Sequence, residues 1–571
     1  MTTPMVPHAA EEVFERFDKL YEFDREPVTP DRLEPGRHFA AVFAGEHVAG
    51  TEFVIGALFV TWGVSAKDIL LGLLVGNLFA VLSWTLVCAP IAVETRLTLY
   101  WYLRKIAGPA VTTLYNVLNA IMFCILSGTM ITVSASSVRI AFDIPPQIKW
   151  YPEDPRFVLL VVGVGAVVVA VAIAGFRRLA QFNEVCVPWI FTMFFAGAVA
   201  MLPALAANDG SGSLWGAGDL WRLANETIWV KNSESEFGFW HVAAFAWVCN
   251  LAMHVGLSDM ALLRYAKRPA YGLYSAFGMY LGHYLAWVGA GVMGAAVAAI
   301  TGIALTKLDA GEVAYQALGF SGAIAVVLAG WSTSNPTLYR AGLALQAISP
   351  GWPRWLVTLL AGVFTTAIAC FPFVFTRLLD FVGLYGVLLM PIGAIVFVEH
   401  YLFPKIGLTR YWFLRTGRAV NWPALISWIG AVGLACYLHM AGILHLFFVP
   451  LPLWFLTAAA YTMLSMFFGA KASAQAATRG TAYEAESRPV RPAASELAAV
   501  TTKEPNKSWL ISVVGFIALS ALITCIVLSL WVLLDESQPY AERLASYRAW
   551  LTCASVTHLV ACAVWATLKN R

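Results

Sequence analysis

The stretch Gly45-Glu46-His47-Val48-Ala49-Gly50 lies in the middle of the first apolar segment, residues 39–62. A carboxylate at the centre of a membrane-spanning helix costs about 2.5–3.5 kcal/mol on insertion scales, so it normally faces a cavity or a partner. The two glycines weaken a helix at this point. Unwound backbone is tolerated at membrane depth only where it is buried in protein or lines a water-filled site. We therefore predict that this stretch breaks the helix and builds a binding site.

The composition identifies the class of protein. Of 571 residues, 59% are hydrophobic and 12% are charged, with a mean hydropathy of +0.70. Soluble domains carry about 25% charged residues, so this chain is a multi-pass membrane protein whose surroundings are the lipid bilayer. No basic run or recognition module indicates binding to nucleic acid. The nine cysteines form no CxxC pair and are expected to be small buried apolar residues.

Crossing a bilayer takes about 20 apolar residues. Fourteen segments meet this condition and are called spans 1 to 14 in chain order: 39–62, 69–93, 109–135, 157–175, 182–206, 238–263, 271–303, 313–331, 355–376, 380–402, 421–441, 446–468, 509–534 and 548–568. Span 8 is followed by an amphipathic segment from Tyr339 to Ile348. Residues 1–38 lack the apolar core of a signal peptide. Their apolar residues between Val13 and Tyr21 have helical spacing, which fits either an amphipathic helix or a solvated tail.

The distribution of basic residues predicts the orientation. If the N-terminus is cytoplasmic, the inner loops hold 14 Lys and Arg, with Arg340 among them, and the outer loops hold 8. The positive-inside rule then places both termini in the cytoplasm of a cell, as in a bacterial inner membrane. We expect four regions: an N-terminal tail over 1–38, a twelve-span core over 39–468, a flexible linker over 469–507 and an accessory two-span hairpin over 508–571.

Spans 1 and 6 contain related polar stretches. Span 1 reads His47-Val48-Ala49-Gly50-Thr51-Glu52, and span 6 reads His254-Val255-Gly256-Leu257-Ser258-Asp259. These are corresponding positions in a five-plus-five inverted repeat, in which the substrate site forms where two broken helices meet near the bilayer midplane. The simpler alternative is that the histidines pack in the core and the acids end helices.

The segment Trp331-Ser332-Thr333-Ser334-Asn335-Pro336-Thr337-Leu338-Tyr339-Arg340-Ala341-Gly342-Leu343 resembles a family pattern. It is similar to span 8 of purine–cytosine permease-like proteins in the nucleobase–cation symporter family, which tend to read W-[ST]-T-N-x-N-N-L-Y-S-x-G-L. Weaker likenesses occur, in the same order, at Pro188, at Leu263-Arg264-Tyr265-Ala266-Lys267 and at Val398-Glu399-His400-Tyr401-Leu402. The resemblance covers about residues 38–468.

The resemblance implies an all-α, leucine-transporter-like fold in which spans 1, 2, 6 and 7 move against spans 3, 4, 8 and 9. It also implies a cation-coupled symporter for a nucleobase or related heterocycle such as cytosine, a purine, hydantoin or allantoin. The family's sodium site would use carbonyls near Gly45 and Val48 with the hydroxyls of Ser332 and Thr333. These oxygens suit a hard cation, although hydroxyls in apolar helices often bond back to their own backbone. We expect sodium as coupling ion, with a proton as the alternative, and no other cofactor.

The resemblance and the repeat together predict the substrate-binding residues. On spans 3, 6 and 8 the family's places for aromatic rings and amides correspond to Asn119, Phe123, Trp247, Asn250 and Asn335. The polar side chains of the two broken stretches complete the set: Glu46, His47 and His254.

This chain departs from the family pattern at several of these places. Phe123 stands for the usual tryptophan of span 3, and span 8 exchanges asparagines for Ser334, Pro336 and Thr337. Asp259 lies five residues before Arg264, where the family's acid lies three before, and members do not generally carry the Glu46-His47 pair. These departures favour a substrate with a cationic or donor-rich edge.

Three other functions fit parts of the sequence. The same fold transports other solutes, such as amino acids, amines or vitamins. A membrane enzyme would use intramembrane His and Glu, but adjacent residues on a helix point about 100° apart and do not form a single-face chelate of the H-E-x-x-H kind. A transporter-like sensor would signal through the C-terminal hairpin, which contains no kinase or receiver domain. We expect a transporter and no enzymatic activity.

Overall fold

A computed structural model describes residues 22–147, 149–208, 210, 214, 216–373, 378–471 and 509–570. Across these ranges the chain is helical, and strand-like pairing is limited to two isolated bridges. The predicted amphipathic segment between Val13 and Tyr21 lies outside the described residues, as does the linker from 472 onward.

The helices follow the predicted spans in order, and their bounds are these: span 1, Gly36–His47 and Glu52–Thr61; span 2, Ala66–Thr95; span 3, Leu99–Val138; span 4, Pro155–Ile173; span 5, Phe176–Asn208; span 6, Phe239–Val248, Leu251–His254 and Met260–Leu263; span 7, Pro269–Thr301; span 8, Phe320–Ile348; span 9, Arg354–Ala369; span 10, Leu378–Phe397; span 11, Trp422–Met440; span 12, Pro450–Phe467; span 13, Trp509–Leu534; span 14, Tyr540–Asn570. In the described part of the chain, 10 of these helices are long and apolar enough to cross a membrane, and the bent pair of span 1 makes 11. Spans 6, 8 and 9 fall below this threshold, so the count of fourteen remains a prediction.

Span 1 is broken, as the sequence predicts. Its two halves meet at a bend of 53°, and Val48 leaves the helical region with φ −96° and ψ 60°. Gly45 still lies within the first half, so the break is confined to 48–51. Gly50 permits a close approach of span 8, because a Cβ there would lie 3.0 Å from the carbonyl oxygen of Val326.

Span 6 is broken in the corresponding place. Its first helix ends at Val248, and a single turn, Leu251–His254, precedes a second interruption. There Leu257 adopts a left-handed conformation with φ +66°, which is uncommon for a branched residue. The last turn begins at Met260, directly after Asp259. Both acids of the repeated stretches, Glu52 and Asp259, therefore adjoin the start of a helical segment.

The predicted bounds of span 8 are wrong. The residues predicted as its first half belong partly to a separate helix, Ala310–Leu318, and the supposed amphipathic segment Tyr339–Ile348 is the second half of span 8 itself. The hydropathy of the sequence predicts that the span ends at the polar run that begins at Ser332. In the structure this run is buried against other helices and does not face lipid. Arg340 is therefore a buried residue of span 8. It does not belong among the basic residues of the inner loops.

The helices pack in the two groups that the resemblance implies. Span 2 runs along span 6, and span 7 runs along the second half of span 1. Span 8 packs extensively on span 3, and span 9 packs on spans 3, 4 and 8. The two broken helices thus belong to one packed group and the polar run of span 8 to the other.

Residues 22–34 cross the face of the molecule at which span 1 begins, which is called the N-terminal face below. The guanidinium of Arg264, at the end of span 6, donates to the main-chain oxygen of Glu22 at 2.6 Å. The Glu22 carboxylate accepts hydrogen bonds from the hydroxyls of Tyr265 at 2.6 Å and Tyr339 at 2.8 Å. This segment therefore joins spans 6 and 8 at the N-terminal face.

The C-terminal hairpin packs against the core along spans 5 and 8. The Tyr540 hydroxyl donates to the carbonyl oxygen of Ala200 at 3.1 Å, and Ser321 donates to Ser555 at 3.1 Å. The opposite side of the hairpin is rich in exposed apolar residues such as Phe516, as expected for a surface that faces lipid.

The contact between spans 1 and 7 depends on a glycine. A Cβ at Gly282 would lie 2.2 Å from the carbonyl oxygen of His47, which is backbone and cannot rotate away. We expect Gly282→Val to lower stability by about 1–3 kcal/mol or more, as overpacking does, measured as the midpoint of thermal unfolding in detergent. Gly433→Val is the matched control, since a Cβ there meets nothing within 4 Å. Equal midpoints for the two variants would contradict this packing.

Candidate functional site

A small cavity lies where the breaks of spans 1 and 6 face spans 3, 7, 8 and 10. Its open volume is about 50 Å³, room for only a few water molecules. A planar heterocycle is larger than this, so the cavity is too small to hold one in the conformation described, and it is called closed below in this sense. The polar and aromatic residues that line it are Glu46, His47, Thr51, Glu52, Asn250, His283, Trp287, Thr333, Thr337 and Tyr385.

A cluster of three buried charges adjoins the cavity through Glu46, which lines it. Arg340 of span 8 donates to both carboxylate oxygens of Glu46, with Nη1–Oε1 at 2.5 Å and Nη2–Oε2 at 2.9 Å. Its Nε donates to Oδ1 of Asp259 at 2.9 Å, and Nη2 donates to the same oxygen. Each of the three residues is at most 3% exposed. We call Glu46, Asp259 and Arg340 the arginine cluster.

The arginine cluster carries a net charge of −1 when its three members are ionised. A guanidinium presents five N–H donors in a fixed fork, and here it satisfies two carboxylates at once. Trp84 of span 2 adds a further donor, since its Nε1 lies 2.5 Å from Oδ2 of Asp259. The ring of Phe123 lies 5.8 Å from the guanidinium carbon of Arg340, within the range of a cation–π contact.

The cluster consists of residues at which this chain differs from the family pattern. Glu46 and the position of Asp259 are two of the departures, and Arg340 stands where the pattern has serine. The three departures lie on spans 1, 6 and 8 and contact one another directly. They therefore act as a unit, and both oxygens of Glu46 are already engaged by Arg340 in the closed cavity.

A group of oxygens surrounds the hydroxyl of Thr333, next to the break of span 1. Thr333 Oγ1 lies 2.9 Å from the carbonyl oxygen of Glu46, 3.1 Å from that of Ala329 and 3.4 Å from that of Gly45. A hydroxyl has one proton, so it donates fully to only one of these carbonyls at a time. The excess of oxygen atoms is an arrangement that suits a hard cation such as sodium, which prefers oxygen ligands.

The structure joins two of the four predicted cation ligands. Thr333 meets the Gly45 carbonyl as expected, and the Glu46 carbonyl joins them. The hydroxyl of Ser332 donates to the Ala329 carbonyl of its own helix at 2.9 Å. The hydrogen bonds found in the described ranges do not bring the Val48 carbonyl to Thr333. The roles of Ser332 and Val48 therefore stay predictions.

The lining of the cavity contains a second acid, Glu52. Glu52 accepts a hydrogen bond from the indole N–H of Trp287, and its Oε1 lies 3.8 Å from Nε2 of His283. The His283 ring stacks on Trp287 with centroids 4.2 Å apart, and its Nδ1 lies 3.4 Å from the Asn250 amide nitrogen. The ring of His47 approaches His283 edge-on at 5.0 Å. Spans 1, 6 and 7 thus meet through polar side chains.

The predicted substrate residues divide into three sets. Glu46, His47 and Asn250 line the cavity. Asn119 and Phe123 lie beside it: Asn119 accepts from Ser258 at 3.3 Å.

The remaining predicted residues lie away from the lining. Trp247 donates to Ser83 at 3.1 Å, and His254 bonds to the Trp247 carbonyl at 3.0 Å. Asn335 is fully buried, and neither amide atom has a hydrogen-bond partner among the described residues. The aromatic walls of the closed cavity are Trp287 and Tyr385, from spans 7 and 10.

Several residues of the site were missed by sequence reasoning. Arg340 was assigned to a loop, although a charge three residues after Thr337 and in helical register with it indicates a shared face. His283 and Trp287 are four residues apart inside the apolar span 7, a spacing that also places them on one face. Trp84 and Tyr385 carry no sequence signal, because a single aromatic residue in a membrane span is usually a packing residue.

The fold, in contrast to the sequence, has recognisable relatives. No protein-family model matches the chain, and no curated protein matches it in sequence. Mhp1, a nucleobase-cation-symport-1 family transporter solved in a closed conformation with bromovinylhydantoin bound, aligns with a TM-score of 0.60 and 15% identity over 81% of this chain and 100% of its own. A Na⁺-coupled sialic acid symporter, solved in a substrate-bound outward-open state, aligns with a TM-score of 0.56 and 13% identity over 81% of this chain and 98% of its own. The prediction of a leucine-transporter-like core is confirmed.

The arginine cluster yields a stability test. Arg340→Met leaves two buried carboxylates without a cation, and we expect a loss of about 3–5 kcal/mol, as when one partner of a buried pair is removed. Glu46→Gln leaves a neutral Arg340–Asp259 pair and is expected to cost less.

The triple variant Arg340→Met, Glu46→Gln, Asp259→Asn removes all three charges and should recover part of the loss. Thermal unfolding in detergent measures all three proteins. A triple variant less stable than Arg340→Met alone would show that the charges do not compensate one another.

Proposed function

We propose that the chain is a secondary active transporter that couples the movement of a cation to uptake of a small solute by alternating access. Its fold is that of solved symporters, and we assign it to a cell membrane with both termini in the cytoplasm. Transport, and no catalysis, is the function that a closed polar cavity between two broken helices supports best.

The observation that carries the proposal is the group of oxygens around Thr333 beside a cluster of net negative charge. Buried charge is stable only when it is paired. A cation held by the Thr333 hydroxyl and the carbonyls of Gly45 and Glu46 would supply the missing positive charge next to Glu46. Bound sodium would therefore strengthen the contact between span 1 and span 8.

The same contacts suggest how ion binding is linked to the conformational change. Arg340 belongs to the group of spans 3, 4, 8 and 9, whereas Glu46 and Asp259 belong to the opposing group. Opening on the N-terminal face separates these groups, so it must weaken the arginine cluster and the Glu22 contacts with Tyr265 and Tyr339. A ligand can shift this equilibrium only through different affinities for the open and closed forms. The Thr333 site would bind a cation with different affinities in the open and closed forms, because its ligands come from both groups of helices.

For the substrate we propose a nucleobase or related heterocycle. Trp287 and Tyr385 offer aromatic surfaces, and Asn250 and Thr337 offer hydrogen-bonding groups to a planar ring. An amino acid or amine is the alternative. The second acid of the cavity, Glu52, favours it, because Glu52 could accept hydrogen bonds from a cationic group.

Uptake into proteoliposomes tests the proposal. Labelled cytosine, uracil, hypoxanthine and hydantoin are supplied as a pool, with sodium and proton gradients imposed separately, and a second pool contains amino acids. We expect sodium-dependent accumulation of a member of the first pool. Accumulation from the amino-acid pool alone would replace the heterocycle with the alternative substrate, and accumulation without sodium would contradict sodium coupling.

Thr333→Val removes one oxygen of the cation site. We expect the sodium concentration for half-maximal uptake to rise about tenfold, which corresponds to about 1.4 kcal/mol of binding free energy. Thr192→Val is the matched control, because the Thr192 hydroxyl donates to Pro188 of its own helix in span 5, at 2.8 Å. An unchanged sodium dependence of Thr333→Val would exclude Thr333 as a ligand.

A further inference from the structure

Glu52 and His283 form a second pair of ionisable groups, which does not belong to the arginine cluster. Glu52 is the first residue of the second half of span 1 and is 3% exposed; His283 lies on span 7 and is 5% exposed. Their nearest polar atoms, Oε1 and Nε2, are 3.8 Å apart at the wall of the cavity. A small movement of either side chain would bring them to hydrogen-bond distance.

No fixed cation neutralises this pair. The ion pairs found among the described residues include none between Glu52 and a lysine or arginine, and the guanidinium of Arg340 makes four hydrogen bonds to Glu46 and Asp259. An isolated carboxylate is costly in a low-dielectric interior. In the closed cavity the pair is therefore most stable when Glu52 binds one proton and stands as a neutral acid beside a neutral imidazole.

The titratable side chains that face the Glu52–His283 pair do not hold it in a single charge state. Span 1 contributes His47, whose ring lies 5.0 Å from that of His283 and whose Nε2 is buried without a hydrogen-bond partner in the described chain. Span 6 contributes Cys249 and span 10 contributes Tyr385, both weak acids. Spans 3 and 8 present uncharged side chains to the cavity, and Glu46 of the arginine cluster also lines it.

Two contacts fix the orientation of the histidine. Its ring is stacked on Trp287, whose own N–H points to Glu52. Its Nδ1 faces the Asn250 amide at the break of span 6. His283 therefore contacts side chains of spans 1, 6 and 7, which all line the substrate cavity. A change in the protonation of the pair alters contacts of all three spans.

We propose that Glu52 and His283 are a proton-binding site and that the transporter carries a proton together with sodium and solute. This inference rests on the proposed function for its transport step. The proton comes from water on one side of the membrane and binds to Glu52 Oε1, because Nδ1 of His283 faces the amide N–H of Asn250 and Nε2 already bears the imidazole proton. It returns to water when the cavity opens on the other side. The charge of the pair changes from −1 to 0, and no other bond forms or breaks.

Infrared spectroscopy of the purified protein tests the site without any substrate. Difference spectra between acidic and alkaline buffer should contain a protonated-carboxyl band that Glu52→Gln abolishes and His283→Gln shifts. Glu399→Gln is the matched control: Glu399 is a fully buried carboxyl outside the cavity, hydrogen-bonded to Tyr461 and to the Tyr411 N–H. It should leave the His283-sensitive band in place. Spectra of Glu52→Gln and wild type that coincide would overturn the proposal.

Proton flux tests the coupling. Proteoliposomes that enclose a pH-sensitive dye receive the heterocycle pool under an inward sodium gradient, and radiolabel uptake is measured in parallel. The wild type and Glu399→Gln should acidify the interior during uptake, whereas Glu52→Gln and His283→Gln should lose the proton flux. Wild-type uptake without proton movement, or Glu52→Gln with wild-type proton flux, would overturn coupling.

The two experiments separate the failure of this inference from that of the proposed function. A carboxyl band that depends on His283, in a protein that accumulates neither pool, would keep the proton-binding site and contradict the transport function. Sodium-driven uptake with no such band would keep the transporter and contradict the site. If Glu52→Gln fails to fold, His283→Gln and the wild-type proton flux still decide between these outcomes.

Discussion

The contact of Arg340 with Glu46 and Asp259 constrains the rest of the core. A guanidinium in the membrane interior must have partners, and both of its partners lie in interrupted helices. Because one side chain reaches both carboxylates, the breaks of spans 1 and 6 are held against the middle of span 8. The cavity is the space left between these three elements, and its closed form depends on the contact.

The breaks in spans 1 and 6 supply polar ligands that continuous helices cannot offer. An intact membrane helix uses its carbonyls internally, so it offers few ligands to an ion or solute. At the end of the first half of span 1, the carbonyls of Gly45 and Glu46 instead reach the hydroxyl of Thr333. Polar side chains that would be costly in lipid become satisfied because they meet one another across the breaks.

The arginine cluster and the Glu52–His283 pair differ in how firmly their charges are fixed. The arginine cluster has hydrogen-bonded partners on three spans, and Trp84 adds a fourth. Glu52 has an indole N–H and a histidine whose charge depends on a proton. The arginine cluster joins the two groups of helices, so a cation bound beside it can alter the balance between open and closed forms. The Glu52–His283 pair joins spans 1 and 7 of one group at the wall of the cavity.

Much of the fold and part of the candidate site could be predicted from the sequence. Charged and glycine residues inside apolar segments are costly unless they form a site, so the interruption of spans 1 and 6 followed from local composition and the repeat. The contact of Thr333 with the Gly45 carbonyl was expected from the family resemblance. Arg340 was misplaced because a hydropathy window averages over a helix and does not distinguish a polar face turned inward from a loop. Trp247 and Trp287 are equally apolar in sequence, and only the rotation of their helices places Trp287 in the cavity wall.

The sequence by itself determined the membrane class, the order of the helices and the positions where two of them break, because these depend on the chemistry of neighbouring residues. Only the tertiary structure decided that Glu46, Asp259 and Arg340 form one cluster and that Glu52 faces His283. These contacts join residues between 81 and 294 positions apart. Their formation depends on how whole helices pack and rotate, which no local pattern specifies.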